Sequence, residues 1–107
     1  MIGRPVTRLP RDAALVELRA DALTFRTREC ILPEAVVAFA LGLEGQPLEL
    51  AAPVSACFVI SRDRSGFTYH VQCDLTTLPP ADRQILALFI GKGRGSADLH
   101  PPAAAGR

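Results

Sequence analysis

The sequence predicts an all-β domain of six short antiparallel strands with one C-terminal helix. Three observations point to it. From Val54 to Leu75, apolar and polar residues alternate on either side of the polar tip Arg62-Asp63-Arg64-Ser65-Gly66. A period of two marks strands with one buried and one wet face. After Leu75 the period becomes helical, with Ile85, Leu86, Leu88 and Phe89 on one stripe. Upstream of Val54 the apolar runs are short and are broken by turn residues such as Pro33 and Gly45.

Residues 1–13 carry Arg4, Arg8 and Arg11 together with Pro5 and Pro10. Proline stiffens the chain and blocks helix, so an extended, basic, flexible arm is expected. Ala14 to Leu18 reads as the first strand, Arg19-Ala20-Asp21 as a turn, and Leu23 to Thr27 as the second strand. Ala35 to Leu43 is apolar on both faces. By composition it also fits a buried helix, but Val36-Val37 and its short length favour a third strand. Leu43-Glu44-Gly45-Gln46 signals a turn. Leu48 to Ala52 is a fourth strand, leading through Pro53 into the hairpin.

In that hairpin, Val54, Ala56, Phe58 and Ile60 form one apolar face, and Phe67, Tyr69, Val71, Cys73 and Leu75 the other. Matching them sets Phe58 opposite Tyr69 and Ile60 opposite Phe67, with Cys57 and Val59 turned outward. Gly66 can supply positive φ at the tip. Leu78-Pro79-Pro80-Ala81-Asp82 starts the helix, since proline is tolerated in a first turn and Asp82 complements the macrodipole. Gly91 and Gly93 end it. The segment after Gly95, with Pro101-Pro102 and three alanines, reads as a disordered tail. The predicted organisation is thus an arm over 1–13, a barrel with its closing helix over 14–93, and a tail over 94–107.

A chain of 107 residues with 49% hydrophobic residues makes one domain with a real core. The net charge of +1 gives no overall field for nucleic acid or a membrane surface. The longest apolar run, Ala35 to Leu43, is too short to span a bilayer. No secretory leader is visible, and three cysteines without a pairing pattern fit a reducing compartment. A cytoplasmic protein without membrane insertion is expected.

Catalytic chemistry finds little support. A nucleophile needs a base and an orienting acid, and only His70 and His100 are available. His70 and Cys73 stand three apart, so on a strand they face opposite sides and cannot share a metal ion. Cys30 reads as an incidental thiol. Gly91-Lys92-Gly93-Arg94-Gly95 is glycine-rich but follows a helix instead of preceding one. No enzyme, metal or cofactor is expected. The cations are lopsided: eleven are arginine and one, Lys92, is lysine. Arginine suits planar recognition of phosphates and stacking on bases. Arg4 and Arg8 fall on one side of an extended segment, roughly 13 Å apart by strand rise. That pair could straddle a ligand bearing more than one phosphate.

The order of these features resembles the PilZ domain from about Val16 to Ile90. VELRADALTF is similar to that family's strand-turn-strand, VVAFALGLEGQPLEL to its central hairpin, and GFTYHVQCDLTTLPPADRQILALFI to its last strand and closing helix. The resemblance implies a six-stranded antiparallel PilZ-like β-barrel acting in bacterial cyclic di-GMP signalling. In that family an Arg-x-x-x-Arg arm and an Asp/Asn-x-Ser-x-x-Gly turn clamp the nucleotide. Arg4 and Arg8 match the arm. Glu17, Arg19 and Ala22 stand at the turn positions, where Arg19 could serve as a third cation. The resemblance therefore implies cyclic di-GMP as a regulatory ligand at Arg4, Arg8 and Arg19, together with a protein partner. The alternative is a degenerate member that binds no nucleotide and acts through protein contacts.

Overall fold

The computed structural model describes residues 6–92 and 96–102. In chain order it has β1 (Val6–Arg8), β2 (Ala14–Leu18), β3 (Ala22–Thr27), β4 (Val36–Leu43), β5 (Gln46–Asp63), β6 (Gly66–Asp74), α1 (Pro80–Gly91) and β7 (Ala97–His100). The chain is all-β with one helix, as the alternation predicts. No helix among the described residues is long and apolar enough to cross a membrane.

The strands run in the order β1-β4-β5-β6-β3-β2, and β7 lies on β4 beyond the end of β1. The sheet curls into a half-barrel that brings β2 up against β7, although no ladder joins those edges among the described residues. Among the described residues there are seven strands instead of six, and β1 pairs parallel to β4 where an all-antiparallel sheet is predicted.

Three local differences account for the changed count. Part of the expected arm forms β1, held down by buried Leu9, whose N–H donates to the Ala38 carbonyl at 3.2 Å. Part of the expected disordered tail forms β7, where Leu99 pairs with Leu41 and packs on the core. The predicted fourth strand and the first hairpin strand are one element, β5. Its first half pairs with β4 through Pro53 and its second half with β6 from Val54. Proline has no N–H to give a ladder, and it stands where the strand changes partners.

The β4–β5 turn places both Glu44 (φ 53) and Gly45 (φ 87) in the left-handed region, as a type I′ turn requires. The β5–β6 tip uses Gly66 at φ 131. There the Ser65 N–H donates to Asp63 Oδ1 at 2.9 Å, and Arg28 Nη2 donates to the same oxygen at 2.9 Å. Asp74 ends β6 by accepting from the Thr76 N–H and hydroxyl at 2.9 and 2.6 Å.

Leu23, Phe25, Val37, Phe39, Leu41, Val71, Cys73 and Leu75 are fully buried between the curled faces. Helix α1 adds Leu86, also fully buried, with Phe89 packed beside it. Pro80 opens the helix and Asp82 lies in its first turn. The predicted stripe is only half used, because Ile85 and Leu88 stay exposed over a cleft against Leu43, Pro47 and Leu48.

The hairpin register departs from strict alternation. Phe58 lies opposite His70, Val59 opposite Tyr69, and Arg62 opposite Phe67. A bulge at Ser55 inserts one residue between the Val54–Cys73 and Ala56–Gln72 pairs. One extra residue exchanges the faces of everything beyond it. Cys57 therefore joins Val71 on the inner side, half-buried, while Phe58 turns outward. Phe58 and Tyr69 lie on opposite faces where one shared face is predicted. A second bulge, at Ile60, again shifts the register beyond Val59.

Candidate functional site

Arg8 ends β1, and the chain then dips into the core at Leu9 and Pro10 before resurfacing at Arg11. The Ala13 N–H closes this turn onto the Pro10 carbonyl at 3.1 Å. Asp12 ties the turn to the end of β3. It accepts from the Thr27 hydroxyl at 2.6 Å and from the Arg28 N–H at 2.8 Å. Two guanidiniums, Arg8 and Arg11, thereby line an open cleft of about 620 Å³ with Leu9, Pro10, Glu29 and Pro101. Among the described residues no carboxylate lies within 4.0 Å of either arginine. Such a cleft falls in the size range of small-ligand sites, and among the described residues Glu29 is the one negative group on its wall.

The predicted site residues do not all meet there. Arg4 lies outside the described residues. Arg19 sits in the β2–β3 turn, where its N–H donates to the Ala22 carbonyl at 2.8 Å and its Nε lies 3.6 Å from Asp21 Oδ1. That turn is at the far end of β2 from Arg11, roughly 16 Å away along the strand by rise per residue. Arg11 is the cation that spacing alone overlooks. The signal for it is Pro10, which breaks the extended segment and lets residues three apart flank one cleft.

A second feature is the far end of the β5–β6 hairpin. Phe58, Val59, Ile60 and Phe67 are each between 42% and 51% exposed. Beyond Cys57 and Tyr69 the paired strands run past the core, so both faces are wet. Phe58 packs on His70 outside, and Phe67 tilts against Tyr69 inside, with ring centroids 6.2 Å apart. The tip is pinned by Arg28, and this guanidinium with Ser65 holds the Asp63 carboxyl well below the usual carboxylate range.

Cys73 is a core residue whose thiol burial pushes up to about 12. Cys57 is also raised, first by burial, and the exposed Cys30 thiol is its neighbour. Among the described residues no cluster of His, Cys, Asp and Glu could hold a metal ion. No family model matches the chain, and no curated protein or solved structure matches it.

Proposed function

We propose that this chain is a non-catalytic regulatory module of the PilZ-like barrel type that takes cyclic di-GMP at the Arg8–Arg11 cleft. One observation carries the proposal: two arginines without an ion partner among the described residues line the same open cleft. Charge-assisted, forked hydrogen bonds from guanidinium to phosphate are short and directional, and the same planes stack on purines. Further support is the order of elements, strand-turn-strand, hairpin, hairpin and closing helix, on a curled sheet. The hairpin pairing counts against it, since Phe58 and Tyr69, expected on one face, lie on opposite faces. Arg19 is left out of the proposed site because Asp21 and the length of β2 hold it away.

Calorimetric titration with cyclic di-GMP, wild type against an Arg8→Ala, Arg11→Ala double variant, tests the proposal. Micromolar binding lost in the double variant supports it. No heat at about 100 μM protein, a level that detects micromolar dissociation constants, rejects it.

A second reading, a barrel of the same type that binds no nucleotide and acts through a protein contact, is favoured by the exposed apolar end of the hairpin. Surfaces of that kind mark interaction sites when the apolar residues are contiguous.

A further inference from the structure

The outer edge of β5 bears no strand from Ala56 to Asp63 among the described residues, since only β6 pairs with this half of the strand. The edge begins where the chain at Glu34 and Ala35 leaves it. The Val54 carbonyl accepts from the Glu34 N–H at 2.9 Å, and the Val54 N–H donates to the Ala35 carbonyl at 2.8 Å. It ends at the Arg64-Ser65 tip. Open edges are normally blunted by lysine, proline, an inward charge or a bulge. Ala56 to Ser61 has no charge and no proline, and its one such device is the Ile60 bulge.

We infer that this edge is the contact by which two copies of the chain pair, hairpin along hairpin, antiparallel about a two-fold axis near Val59. The charges fit that arrangement. With Val59 at the axis, Phe58 falls opposite Ile60 of the second copy and Cys57 opposite Ser61. The two tips then point away from each other. Arg62 and Arg64 of one copy, neither with an ion pair among the described residues, reach the end of the edge that Glu34 of the other occupies. Like-charged tips do not meet, and each basic tip meets an acidic group. A register that brought Arg62 opposite itself would oppose two cations and leave Val59 uncovered.

The area sets the strength. About half of Phe58, Val59 and Ile60, the exposed apolar residues of this edge, is about 200–250 Å² of apolar surface per copy. A stable interface of standard size needs about 800 Å² per partner in total, so backbone and polar rim must supply the rest. The contact lies at the weak end, with dissociation in the micromolar range or above. Because the Ile60 bulge twists the edge, side-chain burial carries the contact more than an unbroken ladder. A C2 interface of this kind is self-complementary and closes at two copies. Nothing in it depends on nucleotide binding.

Sedimentation equilibrium of the full chain without nucleotide, from about 5 to 500 μM, tests the inference; this span brackets a contact at the low end of interface sizes. A monomer–dimer equilibrium is expected. Val59→Lys, whose circular dichroism should match wild type, should weaken it at least tenfold. Arg64→Glu should weaken it too, and Arg64→Glu with Glu34→Arg should restore it. A protein that stays monomeric throughout overturns the inference. So does a dimer that Val59→Lys leaves unchanged, which would place the contact on another face.

Discussion

Phe58 packs edge-on against His70, ring centroids 6.0 Å apart and planes 67° apart, on the face of the hairpin opposite Tyr69. A single extra residue, Ser55, decides this, and the hairpin has a buried part and an exposed part. Up to the Cys57–Val71 pair the hairpin lies on the core, with Val71 and Cys73 fully buried. Beyond it Phe58, Val59, Ile60 and Phe67 are about half exposed.

Substitutions should separate those parts. Phe25→Ala empties the core and should destabilise the chain by about 3–5 kcal/mol. Phe58→Ala removes a ring of the same size from an exposed position and should cost less than about 1 kcal/mol. Urea denaturation, read as a change in midpoint at constant slope, checks the pair.

Asp12 should matter more than its exposure implies. Asp12→Ala leaves the Thr27 hydroxyl, on a residue only 1% exposed, and the Arg28 N–H without their acceptors. Orphaning a buried donor costs about 1–3 kcal/mol. Because the same carboxylate holds the Arg11 turn to β3, amide signals from residues 10–13 should broaden or shift in this variant.

Acid should loosen the hairpin tip in a defined direction. Asp63 is depressed in the folded chain, chiefly by the Arg28 hydrogen bond and then by Ser65. Its contribution is therefore complete above the unfolded carboxylate value of about 3.9 and fades as pH falls through the lower folded value. The Ser65 amide resonance, followed from pH 6 downward, should move only below about pH 4. In Asp63→Asn that transition should vanish.

The three thiols should react in order of access. Cys30 is exposed, Cys57 is half-buried with its thiol raised by burial, and Cys73 is buried with its thiol near 12. The thiolate is the reactive form, so a disulfide reagent at pH 8 should label Cys30 first and Cys57 more slowly. Cys73 should react only on unfolding. Mass spectrometry of peptides taken over the time course gives the order.

Much of the fold is legible in the residues, and the exceptions have physical causes. The first predicted strand, Ala14 to Leu18, coincides with β2, and the predicted helix start at Pro79-Pro80 coincides with α1. The one is a short apolar run ahead of a turn, and the other has a proline first turn. The Ser55 bulge is invisible because Ser55-Ala56-Cys57 are small enough to suit either face. Strands β1 and β7 have three and four residues, and tertiary pairing with β4 makes them, not local pattern. The basic character of residues 4–11 is plain in the sequence. That Arg11 joins Arg8 while Arg19 is carried to the other end of β2 depends on the descent of Leu9 and Pro10 into the core.

The most direct measurement is amide chemical-shift mapping of the full chain as cyclic di-GMP is added. Saturable shifts at Arg8, Leu9, Arg11 and Glu29, with the Arg19 turn unmoved, are the predicted result. An unchanged spectrum at saturating nucleotide, or shifts centred on Arg19 and Asp21, would contradict the account.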